Sequence, residues 1–592
     1  MKKILIALIA FIGINSGCSN LDLLPHDDLV DDSFWKSEED FQMAVNGCYQ
    51  FSDGRQSDIF WVAQQDRNLD HQLDLVNGGM SGSEGICFGT ANAGNNYVTI
   101  VWSNIYKGLR RCNNYYEKTQ EAIESGRIEM SDNIKHMNGQ VRIIRAAQYF
   151  KLASFWGDVP MPLKTLSRDE ANTILQTSQS EIFEFVESEL LTAAEELEGF
   201  SSSVNAYQST AAYAYLVRLY MMQKEWSKVE TMARKIFDSG KHALYTTGNP
   251  SLDYWDLFTP KANNNTEAIV AHNFTNNTWD YSHNTFEVTS MWELAVPSLR
   301  LTDLYWNDKG QVIKWVDQDN NVLTPRFKED EILSAAYGEE VRVIQDGVIY
   351  TYPDDVDEHI GQFEVLEANR DPRYAQTFAP FNGWDGAFWS SGNRYSSNFM
   401  RTIFIKGYDD ENEINYYNNN QMHVIRLAEI YLSLAEALNE QGRPGEAVQY
   451  VNMIRDRVGM VHAPTSSVEA TRELIRRERQ IEFCHESVLY FDYLRWDALD
   501  GTSKNFWEET TRRDYAPGAS TNFPEGYTSR DLDPSIAIEA EKIAEGHNRV
   551  IQIFNRNSNN AVGKIWNPRN HKWPIPQSEV QINPNLIQNP GY

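Results

Sequence analysis

The stretch STAAYAYLVRLYMMQKEWSKVETMARKIFD, Ser209 to Asp238, sets the fold class. Ala212, Leu216, Leu219 and Tyr220 recur at three- and four-residue steps, which places them on one face of a helix. A short polar turn follows. Trp226, Val229, Ala233 and Ile236 then repeat the same spacing. Two amphipathic helices joined by a tight turn must bury their apolar stripes against each other and against further helices. The plan returns in IRLAEIYLSLAEALNEQGRPGEAVQYVNMIRDRVG, Ile425 to Gly459. There Ala435 and Ala437 precede a turn at Gly442 to Gly445, and Ala447 and Val451 follow.

Alternating small and large apolar residues at these offsets resemble tetratricopeptide helix pairs. Two copies so far apart imply an interrupted array, not a continuous solenoid. The flanking sequence is helical as well. Helices are expected over SEEDFQMAVNGCY from Ser37, over Tyr97 to Glu124, and over Asp132 to Trp156. In the last, Ile134, Met137, Val141, Ile144, Leu152 and Phe155 form the apolar face, and Gly157, Pro160 and Pro162 end it. Residues 55 to 96 lack periodicity and are rich in Gly, Asn and Asp. Residues 246 to 420 are poor in helix signals, and NDKGQVIKWVDQDNNVL (Asn307 to Leu323) reads as short strands and tight turns. The expected fold is mainly α. Its tetratricopeptide-like scaffold covers about 37–245 and 421–592, with loops and small sheet ribbons (about 246–420) laid over it, all within one domain over 37–592.

The N-terminus carries its own message. Lys2 and Lys3 precede Ile4 to Ile14, 11 residues that are apolar apart from a glycine. A membrane-spanning helix needs roughly 20. Residues 1–17 therefore read as a secretory signal and not an anchor helix. Ser16-Gly17 before Cys18 resembles a bacterial lipoprotein signal, although Asn15 stands where leucine is usual. Cys18 is then the lipidation site, and 18–36 a tether that leaves the chain anchored to a membrane without spanning it. The formal net charge of −30 argues against nucleic acid or an anionic membrane surface as partner. Cys48, Cys87, Cys112 and Cys484 match no metal site and no dense disulfide framework.

No HExxH, GxSxG, phosphate-binding glycine loop or CxxC pair is present. DQDNN, Asp317 to Asn321, has Val322 where a calcium loop needs glycine, and reads as a turn. No cofactor and no metal is called for, and enzymatic activity has no support, although 83 acidic residues could supply a carboxylate pair that spacing does not reveal. What remains is binding. Sugars present apolar C–H faces and rings of hydroxyls, which aromatic faces and Asp, Asn or Arg side chains satisfy. FNGWDGAFWSSGNRY offers Trp384, Asp385, Phe388 and Trp389. NNTWDYSHNTFEVTSMWE offers Trp279, Tyr281 and Trp292. The early loop QQDRNLDHQLD adds Asp66, Arg67, Asn68 and Asp70. The competing reading is that the aromatics pin their loops to the scaffold and the polar residues make turns and caps.

Six segments in one order carry a family resemblance: NLDLLPHDDLVDDSFWKSEEDFQMAVNGCY, RAAQYFKLASFWGDVPMPL, IRLAEIYLSLAEALNEQG, VNMIRDRVG, IRRERQIEFCHESVLYFDYLRW and WPIPQSEVQINPNLIQNPGY. Together, behind the lipoprotein-like signal, they resemble the SusD/RagB family of Bacteroidetes outer-membrane lipoproteins. The resemblance implies a surface protein that captures a glycan and passes it to a SusC-like TonB-dependent barrel, acting as its lid. Some relatives resemble peptide binders. A surface enzyme and a pure protein scaffold are the other classes open to this sequence. Within these segments Arg145 reads as a buried ion-paired arginine. Glu478, Glu482 and Glu486, four residues apart, read as one helical face in an ion-pair network with Arg477 and Arg495. Pro574, Pro576 and Pro584 exclude helix and point to an extended strap.

Overall fold

The computed structural model describes residues 34–49, 69, 76–77, 92–202, 206–274, 296–297, 299–316, 319–320, 328–343, 350–352, 368–378, 404–407, 419–500, 549–551 and 568–592. Residues 1–33, with Cys18, lie outside them. The fold is mainly α, as expected. Ten helices carry it: α1 Glu38–Tyr49, α2 Asn96–Glu124, α3 Asp132–Trp156, α4 Gln179–Glu196, α5 Ser209–Gln223, α6 Trp226–Asp238, α7 Leu427–Glu440, α8 Pro444–Arg457, α9 Val468–Glu482 and α10 Leu489–Asp500.

Their ends follow local chemistry. The side chains of Asn95 and Ser131 accept from the backbone N–H of Val98 and Ile134, capping α2 and α3. Ser178 and Glu181 form a reciprocal capping box at α4, satisfying N–H groups that a helix start leaves open. Gly157, at φ 76°, ends α3. Lys224, at φ 62°, turns α5 into α6.

The packing corrects one expectation. α3 packs on α4, α4 on α5, α5 on α6, α6 on α7, and α7 on α8 and α9. The array is thus continuous in space although interrupted in sequence. Its seam joins the two helix pairs: the rings of Phe237 and Tyr431 lie 5.0 Å apart, and Arg443 meets Glu230 at 2.8 Å. The second pair also begins later than expected. Ile425 and Arg426 belong to a strand, and Gly445 sits inside α8, behind Pro444 in its first turn.

In the interrupting region four strands matter: β1 Ala268–His272, β2 Val312–Val316, β3 Glu339–Val343 and β4 Met422–Arg426. β1 and β4 pair antiparallel. β2 and β3 pair in parallel, and parallel strands need a crossover. The helix Lys328–Tyr337, with Glu329, Asp330 and Glu331 in its first turn, lies between them in the chain. A region read as helix-poor therefore holds a helix that the acid-rich start and Gly338 had marked.

Buried charge ties this region to the scaffold. Glu478 accepts from Arg373 at 2.8 Å and from Arg455 at 2.5 Å. Glu482 pairs with Arg426 at 2.7 Å, with Arg373 at 3.1 Å and with Arg457. Glu267 bonds Arg426 and Arg457. The expected network is real, but its membership differs. Glu486 lies beyond the end of α9, where it meets Arg426 and Lys406. Arg477 pairs with Asp330, and Arg495 with Glu436 and Asp492. Arg145 is ion-paired as expected, to Glu189 at 2.6 Å.

The C-terminal segment is a strap across the end of α3. Trp573 stacks on Phe155, ring centroids 4.5 Å apart and planes 14° apart. The indole of Trp156 donates to the Pro574 carbonyl at 2.9 Å. The strap is not wholly extended: Gln577–Ile582 forms a short helix between Pro576 and Pro584, using proline where it precedes the first turn, a position that tolerates it.

Candidate functional site

Two adjoining clefts open between α2, α3 and the β1–β4 ribbon, and they share Leu69, Lys151 and Val424 as wall residues. One is largely aromatic. Tyr97, Val101 and Ile105 come from one face of α2, Ile144, Ala147 and Phe155 from α3, Tyr215 from α5 and Trp573 from the strap, with Tyr207 beside them. Asn104, Gln148 and His272 add polar groups. The cleft encloses about 840 Å³ of empty space, its open mouth included. The second, about 740 Å³ on the same basis, has more charged and polar side chains: Arg218, Lys406, Gln421, His423, His485, Glu486 and Ser487 line it with Phe258 and Phe491.

The polar cleft carries charges that are already matched. Lys406 donates to Glu486 at 2.5 Å and to the Tyr254 hydroxyl at 2.8 Å. Arg218 pairs with Glu429 at 2.7 Å. Burial alone would raise the Glu486 carboxyl, but Arg426 and Lys406 overcome it and hold the group at about 2. Burial drives the Tyr254 hydroxyl well above its usual range. Near neutrality Glu486 is therefore held as the carboxylate and Tyr254 as the phenol. Among the described residues, no group of three or more His, Cys, Asp or Glu side chains could hold a metal ion.

The eleven residues expected to bind ligand (Asp66, Arg67, Asn68, Asp70, Trp279, Tyr281, Trp292, Trp384, Asp385, Phe388 and Trp389) all lie outside the described residues. Their neighbours in the chain do not. Leu69, from the middle of the early loop, lines both clefts. His272, four residues before the segment with Trp279 and Tyr281, lines the aromatic one. Lys406 and Gly407 follow the segment with Trp384 and Trp389, and they line the polar one. The walls themselves were missed in the sequence. Phe155 had been assigned to an apolar helix face, and Trp573 and Gln148 had been given no role. The available signal was a glutamine between apolar neighbours on α3, opposite a glycine in mid-α2.

Comparison with known proteins converges on one family. Residues 255–592 match the model of the SusD family. Residues 25–221 match a model described as starch-binding and associating with the outer membrane. SusD-like protein P2 of Formosa agariphila is 24% identical over 528 residues, 84% of this chain and 91% of that protein. Among solved structures, a SusD-like carbohydrate binding protein from Bacteroides fragilis superposes with a TM-score of 0.67 at 22% identity, covering 94% of this chain and 100% of that one. Surface glycan-binding protein A from Bacteroides uniformis superposes with a TM-score of 0.54 at 18% identity, covering 93% and 99%. At these identities the superpositions establish the fold.

Proposed function

The chain belongs to the SusD family, and from that membership we propose that it is a cell-surface lipoprotein, anchored through Cys18, that captures an oligo- or polysaccharide and delivers it to a SusC-like TonB-dependent transporter. One observation carries the location of the site. The early loop and the two aromatic-rich middle segments all run from residues that line the paired clefts. Loops that adjoin a cleft on a helical floor are suited to ligand selection, which supports placing the site there. Trp384 and Trp389, with Asp385 between them, are proposed to form the principal stacking platform, and Trp279, Tyr281 and Trp292 a second one. Asp66, Arg67, Asn68 and Asp70 supply hydroxyl partners. The protein binds its glycan without hydrolysing it.

The test is affinity electrophoresis and calorimetry of the purified chain against a polysaccharide panel, with an assay for new reducing ends on the same mixtures. Retention by one glycan class without new ends is the expected result. Binding to none of them, or turnover abolished by a single carboxylate substitution, would overturn the reading.

A further inference from the structure

Gln148 is 7% exposed, and its Oε1 is buried without a hydrogen-bond partner. Such an oxygen loses its water and gains nothing in return. The carboxamide also fills a space that a glycine leaves open. The side chain lies directly over Gly108 of α2, where an added Cβ would stand 2.3 Å from Oε1 and 2.6 Å from Nε2. Any residue other than glycine at 108 would push the carboxamide away. The sequence thus keeps a costly polar group, and keeps clear the space it occupies, at the wall of the aromatic cleft.

We propose that this cleft is an inner subsite for one neutral sugar ring, with the Gln148 carboxamide hydrogen-bonded to its hydroxyls. The inference rests on the carbohydrate-binding reading above and adds a ligand class and a recognition residue to it. A carboxamide presents an acceptor and donors together, which matches a hydroxyl, itself both. Tyr97, Val101 and Ile105 keep some exposure and supply apolar wall for the C–H face of a ring. Asn104, one turn before Gly108, adds a second neutral polar group.

The test uses Gln148→Leu, which keeps the volume and removes the polar group. Affinities are measured by calorimetry for neutral oligosaccharides of glucose, galactose, mannose and xylose, and for oligouronates, beside the melting temperature. The expected result is a loss of at least tenfold for the neutral oligosaccharide bound best by the wild type, with melting unchanged or raised, because an unsatisfied amide has been removed. Gly108→Ala should weaken the same ligand. In a spectrum of glutamine-labelled protein, the side-chain amide signal missing from Gln148→Leu should shift when that oligosaccharide is added to the wild type. Unchanged affinity in Gln148→Leu with wild-type glycan binding intact, or no shift of that signal, would assign the amide to a trapped water and overturn the subsite alone. A lowered melting temperature with unchanged affinity would make Gln148 structural. A wild type that binds no glycan would overturn the carbohydrate reading and the subsite with it.

Discussion

Arg373 and Glu478, 105 residues apart in the chain, meet at 2.8 Å with neither side chain exposed. Glu478 also accepts from Arg455 and, at 2.9 Å, from the indole of Trp306. One carboxylate therefore holds together α8, α9 and the segments around residues 306 and 373. Removing one partner of such a set strands the others as buried charge, which costs about 3–5 kcal/mol. Glu478→Ala should lower the free energy of unfolding by that amount in chemical denaturation. A loss below about 1 kcal/mol would mean that water reaches the vacated site and that the network is not a lock.

The same charges fix an acid limit. Arg426 and Lys406 hold Glu486 at about 2 against its burial. Arg495 and its neighbours hold Glu436 at about 2 against the same effect. Both folded values lie below the roughly 4.3 of an unfolded glutamate. The stabilisation they bring is fully present above about pH 4.5 and drains away as pH falls towards 2. A displacement of that size corresponds to about 3 kcal/mol per group. Melting temperature should therefore fall steeply between pH 4.5 and 2. Glu486→Gln should melt lower than the wild type at pH 7 and show a shallower slope in that window. Parallel curves for the two proteins would refute the assignment.

Trp384 and Trp389 test the loop face separately. The sequence around them, with Gly383, Asp385 and Gly386, is the ground for proposing them as stacking residues. Trp384→Ala and Trp389→Ala should melt close to the wild type and bind the cognate glycan roughly tenfold more weakly, or about 1.4 kcal/mol. A core tryptophan behaves oppositely, costing about 3–5 kcal/mol of stability on truncation. Unchanged affinity with a large fall in melting temperature would move the platform to Trp279, Tyr281 and Trp292.

Local periodicity made the helices legible. Ile134 to Phe155 could be placed on a face from spacing alone, and the structure buries each of Ile134, Met137, Val141, Ile144, Leu152 and Phe155. The network's partners were not legible. Glu478 and Glu482 invited nearby arginines, yet their partners are Arg373, Arg426, Arg455 and Arg457, brought in by chain paths that no local pattern records. The seam between Phe237 and Tyr431 was hidden for the same reason. Gln148 was passed over because one polar residue among several on α3 gains meaning only when its surroundings are seen to leave it unsatisfied.

Trp573 joins stability to the cleft, so its substitution should move both. Its ring stacks on Phe155 and stands edge-on to Trp156 at 5.1 Å. Its backbone N–H donates to the Phe155 carbonyl at 2.6 Å, and its indole donates to the Tyr490 hydroxyl at 2.7 Å. The strap thus closes over the end of α3 through one fully buried side chain. Trp573→Ala removes that anchor and should cost about 3–5 kcal/mol. Trp573→Phe keeps a ring for Phe155 but loses the indole hydrogen bond, and should cost markedly less. Because Trp573 also lines the aromatic cleft, the alanine variant should release residues 571–592 to limited proteolysis and weaken glycan binding together. The phenylalanine variant should resist cleavage and keep most of its affinity. If Trp573→Ala melts and resists protease like the wild type, the strap is held elsewhere, by Asn583, Asn585 and Asn589, whose amides bond the carbonyls of Ile174, Thr173 and Trp156.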